Sequence, residues 1–203
     1  MLFIRDDFFK NPYAVRNAAL KQNYTSAEGG EWPGHRSMAH ESISDVVVEE
    51  VRGVTRNPSL KLEKSSFQYV TKDYDEGVYH PDYNYYTCII YLSLEPPPNS
   101  GTSLCFYGDI AEDAYKNGKE AESAWEKLES AKFNFYKDPK NFLNRYNYGR
   151  MRRRHNAHFN PVATIPNKFN RLILFDGNLY HRAHKFFGTS VEDARLTLTS
   201  FFK

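Results

Sequence analysis

Hydrophobic and polar positions divide the chain into a helical beginning and a strand-rich remainder. After a short strand-like opening over 2–5, Asn11-Pro12 predicts a helix start. Asparagine accepts from the first free backbone N–H groups, and proline at the first helical position lacks one to satisfy. Val15, Ala18 and Ala19 form the buried stripe, with Gln22 continuing it. Gly29-Gly30 and Trp32-Pro33-Gly34 predict a loop over 28–34. A second helix begins near Ser42 or Ser44, carries Val47, Val51 and Val54 at helical spacing, and stops before Asn57-Pro58. From Leu60 the period changes to 2. Strands are predicted over 60–63, 66–71 and 87–93, with a polar turn at 73–77. Residues 95–101 read as a hairpin connection, with 102–107 as the returning partner strand. Ala121, Ala124, Trp125 and Leu128 then recur at i, i+3, i+4, i+7, predicting an amphipathic helix after a break at Asn117-Gly118. Residues 136–160 have no clean period, and strands resume at 162–165, 171–175 and 195–202. Two helices followed by many strands and one helical insertion predict a β-rich α+β fold, a barrel or jelly roll backed by helices.

A chain of 203 residues is read as one domain with a substantial core. The aromatic share of 16% suits a β-rich fold. Lys and Arg number 27 against 25 Asp and Glu, so the net charge of +2 gives no pull toward nucleic acid. The basic run Arg150, Arg152, Arg153, Arg154 reads as a solvated face. Cys88 and Cys105 both lie inside strand-like runs, which argues against a disulfide scaffold and for a reduced, cytoplasmic setting. No apolar run approaches the roughly 20 residues that span a bilayer, and Arg5-Asp6-Asp7 cuts short the apolar opening, so no membrane partner is expected.

Tyr79-His80-Pro81-Asp82 leads into the strand at 87–93. In an extended segment His80 and Asp82 project to one side, an imidazole and a carboxylate together. They supply two of the three ligands of the facial triad that holds non-haem Fe(II), whose second His comes from elsewhere in the fold. The plainer alternative is an exposed turn before a strand. Parity adds a second clue. Arg195, Thr197 and Thr199 share one face of the last strand, and Leu196, Leu198 and Phe202 the other; Thr87, Ile89, Tyr91 and Ser93 likewise oppose Cys88, Ile90 and Leu92. These polar faces either meet water or line a barrel mouth where Arg195 grips a carboxylate bidentately.

His80-Pro81-Asp82, the Thr-Cys-Ile-Ile-Tyr-Leu-Ser strand, Ser100-Gly101-Thr102 leading to Cys105-Phe106-Tyr107, Asn170-Arg171-Leu172-Ile173-Leu174-Phe175 with His181 after it, and Arg195-x-Thr197-x-Thr199 occur in one order. That ordered set resembles the prolyl-hydroxylase-like branch of the Fe(II)/2-oxoglutarate-dependent dioxygenases, over about 66–107 and 162–202. The resemblance implies a double-stranded β-helix (jelly-roll/cupin-like) core at 60–107 and 162–203. A supporting strand and helices at 1–59 and a helix-bearing insertion at 108–161 complete the expected domain. It implies His80, Asp82 and His181 as iron ligands. Arg195 would hold the distal carboxylate of 2-oxoglutarate with Tyr91 and Thr199 as hydroxyl partners, and Gln68 or Tyr69 would border the pocket. The implied reaction uses O2 and 2-oxoglutarate, releases succinate and CO2, and hydroxylates a primary substrate, a peptide or small molecule, that the sequence does not name.

Two features depart from the family pattern. The interval from His181 to Arg195 is long and contains His184 as a rival ligand, and the insertion between Tyr107 and Val162 has no counterpart. Outside the enzyme class, the alternative is a non-catalytic cupin-like module that binds a metal or small acid. His35, His40, His155 and His158 read as surface histidines, Trp32-Pro33-Gly34 with Arg36 as a structural turn, and Trp125 with Leu128 as the packing face of the insertion helix.

Overall fold

The computed structural model describes residues 1–26, 32–106 and 118–203, with side chains from 125 onward in the last stretch. The expectations for the loop at 28–31, for Tyr107, Asn117, and for Ala121 and Ala124 on the helix stripe lie outside the described residues.

The N-terminal elements are β1 (Leu2–Arg5), α1 (Pro12–Leu20), β2 (Thr25–Ser26), β3 (His35–Met38) and α2 (Glu41–Thr55). Asn11 caps α1 by accepting from Ala14 N at 3.2 Å. The cap of α2 is His40, whose Nδ1 accepts from Ser42 N, one turn earlier than a serine cap predicts. Its far end closes at Arg56 in the left-handed region (φ 52°), ahead of Asn57-Pro58 as expected. The two strands expected at 60–63 and 66–71 are one, β4 (Leu62–Val70). There follow β5 (Tyr86–Tyr91), β6 (Thr102–Cys105), α3 (Gly118–Lys137), α4 (Phe142–Asn156), β7 (Ala163–Ile165), β8 (Leu172–Asp176), β9 (Tyr180–Ala183) and β10 (Arg195–Phe202).

The strands form two antiparallel sheets, one ordered β1-β8-β5-β10-β4-β3-β2 and the other β7-β6-β9. This is the jelly-roll arrangement predicted, with one correction. β5 pairs with β8 and β10, and β6 pairs with β7 and β9, so residues 95–101 cross from one sheet to the other and do not close a hairpin. Pro96, Pro97 and Pro98 explain the break: none has an N–H to give to a ladder.

Strand parity decides the layers. Cys88, Ile90, Leu92, Leu196, Leu198 and Phe202 pack with Val47 and Val51 of α2 and Ala19 of α1 in the core between the large sheet and the helices. Ile89, Tyr91, Ile173 and Phe175 turn the other way and meet Leu104 and Ile165 of the small sheet. The polar alternates Thr87, Arg195, Thr197 and Thr199 are all buried, so they face an interior and not bulk water.

The aperiodic stretch at 136–160 contains α4. Asn141 caps it by accepting from Leu143 N and Asn144 N. Its inner face packs Tyr148 on Phe135 of α3 and is polar beyond that point. Arg152, only 3% exposed, reaches Asp75 at 3.3 Å and Glu76 at 3.4 Å, which corrects the reading of the basic run as wholly solvated. Asn156 accepts from Tyr79 N at 3.1 Å and donates to Gly77 O at 3.1 Å, while His155 Nε2 donates to Tyr79 O at 2.9 Å. The helix thus holds the backbone that leads into His80.

Candidate functional site

His80, Asp82 and His181 meet between the sheets. One ligand-type atom from each lies within 4.8 Å of the other two. His181 stands on β9, and His80 faces it across an isolated antiparallel bridge: His80 N donates to His181 O at 3.2 Å, and His181 N to His80 O at 3.0 Å. Asp82 arrives two residues after His80, and its own N–H donates to Gly177 O at 2.8 Å, tying it to the turn that opens β9. A Cβ on Gly177 would fall on the Asn84 side-chain oxygen, so this close approach requires glycine.

Hydrogen bonds orient each donor atom. His80 Nδ1 donates to Val78 O at 2.8 Å, and His181 Nδ1 to Leu179 O at 2.9 Å, which turns both Nε2 atoms inward. A carbonyl that accepts from the other ring nitrogen is the usual way to fix the tautomer of a metal-binding histidine. Thr87 Oγ1 donates to Asp82 Oδ2 at 2.6 Å, which fixes the orientation of the carboxylate. His181 Nε2 lies 3.2 Å from Asp82 Oδ2, and His80 Nε2 lies 3.6 Å from Oδ1.

Electrostatics separate the two imidazoles. The protein packed around His80, then the neighbouring His181, outweigh the pull of Asp82 and hold its pKa down at about 4. His80 nonetheless keeps 44% of its side-chain surface open to the cavity mouth. For His181 burial works in the same direction, but the charge and hydrogen bond of Asp82 prevail and raise its pKa. Burial alone would raise Asp82; His181, His80 and the Thr87 hydroxyl together hold its carboxyl well below the usual range. Two imidazole nitrogens and an ionised carboxylate suit a divalent transition-metal ion.

The cluster opens into a cavity of about 370 Å³ that also presents Arg195, Thr199, Thr102 and Gln68. Arg195 is 5% exposed and pairs with no carboxylate among the described residues. Its Nε donates to Ser100 O and its Nη2 to Thr102 Oγ1, each at 3.4 Å. The Tyr91 hydroxyl meets Thr102 Oγ1 at 2.7 Å, with the guanidinium 5.5 Å from its ring. A buried guanidinium without its anion is costly. It fits a carboxylate entering from the cavity, with hydroxyls on either side.

Not every expected residue arrives. Tyr69 faces the helices: it sits opposite Leu196 in the β4–β10 ladder and stacks on His35 at 4.8 Å. Its neighbour Gln68 is the one that borders the cavity, because a shift of one residue along a strand exchanges faces. His184 lies outside the cluster, with its N–H donating to Gly101 O. Trp125 is 38% exposed and lines the cavity mouth, so it is not simply a packing residue. Glu129, Lys132 and Tyr136 of α3 also line the cavity, and Asn156 of α4 braces the backbone before it, with no motif in the sequence to mark any of them. Asn141 after Asp138-Pro139 was the available sign of α4's start.

Solved structures share this architecture. The chain aligns over 100% of its length, and 77% of the other chain, with the non-haem α-ketoglutarate-dependent epimerase SnoN from nogalamycin biosynthesis (TM-score 0.55, 10% identity). It aligns over 99% of its length, and 82% of the other, with HygX from Streptomyces hygroscopicus with nickel and 2-oxoglutarate bound (TM-score 0.56, 12% identity). A Pseudomonas putida prolyl-4-hydroxylase aligns over 100% and 91% (TM-score 0.52, 13% identity). The likeness is one of fold, the jelly roll of the Fe(II)/2-oxoglutarate-dependent oxygenases, as the resemblance in sequence implied. Among curated proteins no sequence matches significantly. A family model matches residues 1–202, and the chain therefore belongs to the family described as "Family of unknown function (DUF6445)".

Proposed function

We propose that the protein is an Fe(II)- and 2-oxoglutarate-dependent dioxygenase that hydroxylates a second substrate. The observation that carries this reading is the pairing, in one cavity, of the His80–Asp82–His181 cluster with a buried arginine lacking an acid. Either feature alone suits a binding module; together they match a co-substrate with a chelating end and a free carboxylate.

His80 Nε2, the Asp82 carboxylate and His181 Nε2 are the proposed ligands. Iron held by them would supply the redox chemistry that couples decarboxylation of 2-oxoglutarate to oxidation of a C–H bond. Atoms balance as 2-oxoglutarate, O2 and R–H giving succinate, CO2 and R–OH. The chain's own part is binding and orientation. Arg195 and the Thr199 hydroxyl hold the distal carboxylate, with Tyr91 and Thr102 fixing the guanidinium from behind. The carbonyls of Val78 and Leu179 keep both imidazoles in the ligating tautomer. Ile89, Val70 and Phe186 line the cavity with apolar surface and limit water.

The test is conversion of 2-oxoglutarate to succinate by the full chain with Fe(II) and O2, which proceeds slowly without a primary substrate. Succinate formation that depends on Fe(II) and disappears in Asp82→Ala supports the reading. Tight 2-oxoglutarate binding with no turnover would make the protein the binding module instead.

A further inference from the structure

The cavity has a second wall, from α3, that the proposed iron and co-substrate sites leave unused. It presents Trp125, Glu129, Lys132 and Tyr136. Lys132 is the unexpected member. A lysine on a surface helix ordinarily runs its stem along the protein and sets its ammonium in water. Here the side chain is 15% exposed and lines the same cavity as His80. Its partner is Glu129 one turn earlier, with Nζ 2.6 Å from Oε2. The pair is not closed on itself. Glu129 Oε1 is buried with no hydrogen-bond partner among the described residues, and an ammonium has three donors, of which this contact uses one.

The Glu129 side chain is 36% exposed, and its unmatched acceptor beside unused lysine donors can take a ligand that completes both. A lone anion would satisfy Lys132 and be repelled by Glu129. A lone cation would do the reverse. A molecule that carries an ammonium and a carboxylate on one carbon meets both. Trp32 lines the same cavity and has a buried Nε1 without a partner among the described residues, a further donor for an anionic group. Between these polar ends the lining is apolar and aromatic, with Val78, Tyr136 and Phe186. At about 370 Å³ the cavity is at the small end for ligand pockets and must also admit 2-oxoglutarate.

Resting on the dioxygenase reading, we propose that Glu129 and Lys132 form the head-group site for the primary substrate. That substrate is a free α-amino acid with an apolar or aromatic side chain. Its ammonium meets Glu129 Oε1, its carboxylate meets Lys132 Nζ, and its side chain extends along Val78 and Phe186 toward His80. The helix would then set specificity by reading the two charges that peptide bonds remove.

The experiment uses the full chain with Fe(II) under anaerobic conditions and reads binding by calorimetry. 2-Oxoglutarate is titrated first; failure to bind defeats the underlying dioxygenase reading. With 2-oxoglutarate bound, each of the proteinogenic amino acids is titrated, followed by the N-acetyl and α-amide derivatives of those that bind. At least one apolar or aromatic amino acid is expected to bind, with both blocked derivatives weaker by about tenfold or more, the loss of one charge-assisted contact. Lys132→Met should weaken the free acid about tenfold and leave its amide unchanged, and Lys132→Arg should restore much of the loss. If 2-oxoglutarate binds but no amino acid does, or if blocked derivatives bind as tightly as free ones, the head-group assignment is wrong. The comparison of derivatives decides the matter in the unmodified protein, whatever the fate of the variants.

Discussion

Each histidine of the cluster gives its Nδ1–H to a carbonyl two residues back, whereas His184 Nδ1 is buried without a partner among the described residues. Replacing His181 by Ala should therefore abolish Fe(II) binding in an anaerobic titration, and His184→Ala should leave it within a few-fold of the parent; the reverse result would move the ligand to His184. Arg195 allows a sharper separation of function from folding. Under the proposed binding, Arg195→Met would remove a charge-assisted carboxylate contact of about 2–3 kcal/mol, so the 2-oxoglutarate requirement should rise about 100-fold. Because the guanidinium is buried without an acid, its replacement by an apolar side chain should hold or raise the melting temperature. A variant that melts early would show that Arg195 is structural. At this scale His80 and Asp82 were legible because an x between them fixes their common side. Tyr69 was misplaced because one residue of register separates the cavity from the helices, and nothing in the sequence near Gln68-Tyr69 sets that register.

Among the elements, the β8–β9 turn and α4 do the positioning. Gly177 lets the 82–85 loop lie against that turn, with Asp82 N bonded to Gly177 O and Gly177 N to Tyr85 O. Gly177→Ala would drive a methyl into Asn84 and should cost about 1–3 kcal/mol of stability while weakening Fe(II) binding, seen by melting and metal titration. Unchanged metal affinity would mean that the loop does not position Asp82. The strands and first two helices were readable because burial on one face leaves a period. α4 was not, because beyond the buried Tyr148 its inward residues Arg152, His155 and Asn156 are polar and bond to backbone carbonyls and amides of 74–79. A helix whose buried face makes hydrogen bonds has no hydrophobic stripe to find.

Over the whole molecule, the N-terminal segment is joined to the sheet by polar clamps as well as by β1. Asn170 accepts from Phe9 N at 2.9 Å and donates to Phe9 O at 3.0 Å, and Asp6 receives Arg171 at 2.6 Å and Lys168 at 2.8 Å. Arg171 first, then Lys168, hold the Asp6 carboxyl well below its ordinary value of 3.8. A lowered folded-state pKa stabilises above the unfolded value and is lost as pH falls toward the folded one. The difference in melting temperature between the parent and Asp6→Asn should therefore be constant near neutrality and shrink below about pH 4. The clamp is a third open to solvent, so the difference should be small and reduced by salt. A gap that does not change with pH would assign the effect to packing. Contacts across such sequence distances leave no local pattern, and the crossing of 95–101 between sheets was hidden for the same reason.

The backbone bridge between His80 and His181 has a consequence for which ion the protein carries. Their separation is sewn into the fold by two amide hydrogen bonds, so under the proposed ligation the ion does not draw the site together. Three protein ligands leave half of an octahedral sphere open and discriminate little by radius, so intrinsic affinity follows the ascending series from manganese to copper. Preparations should emerge bearing whatever late transition metal the growth medium supplies, inert in proportion to its nickel or copper content. Chelation and reloading with ferrous iron should revive them without any refolding.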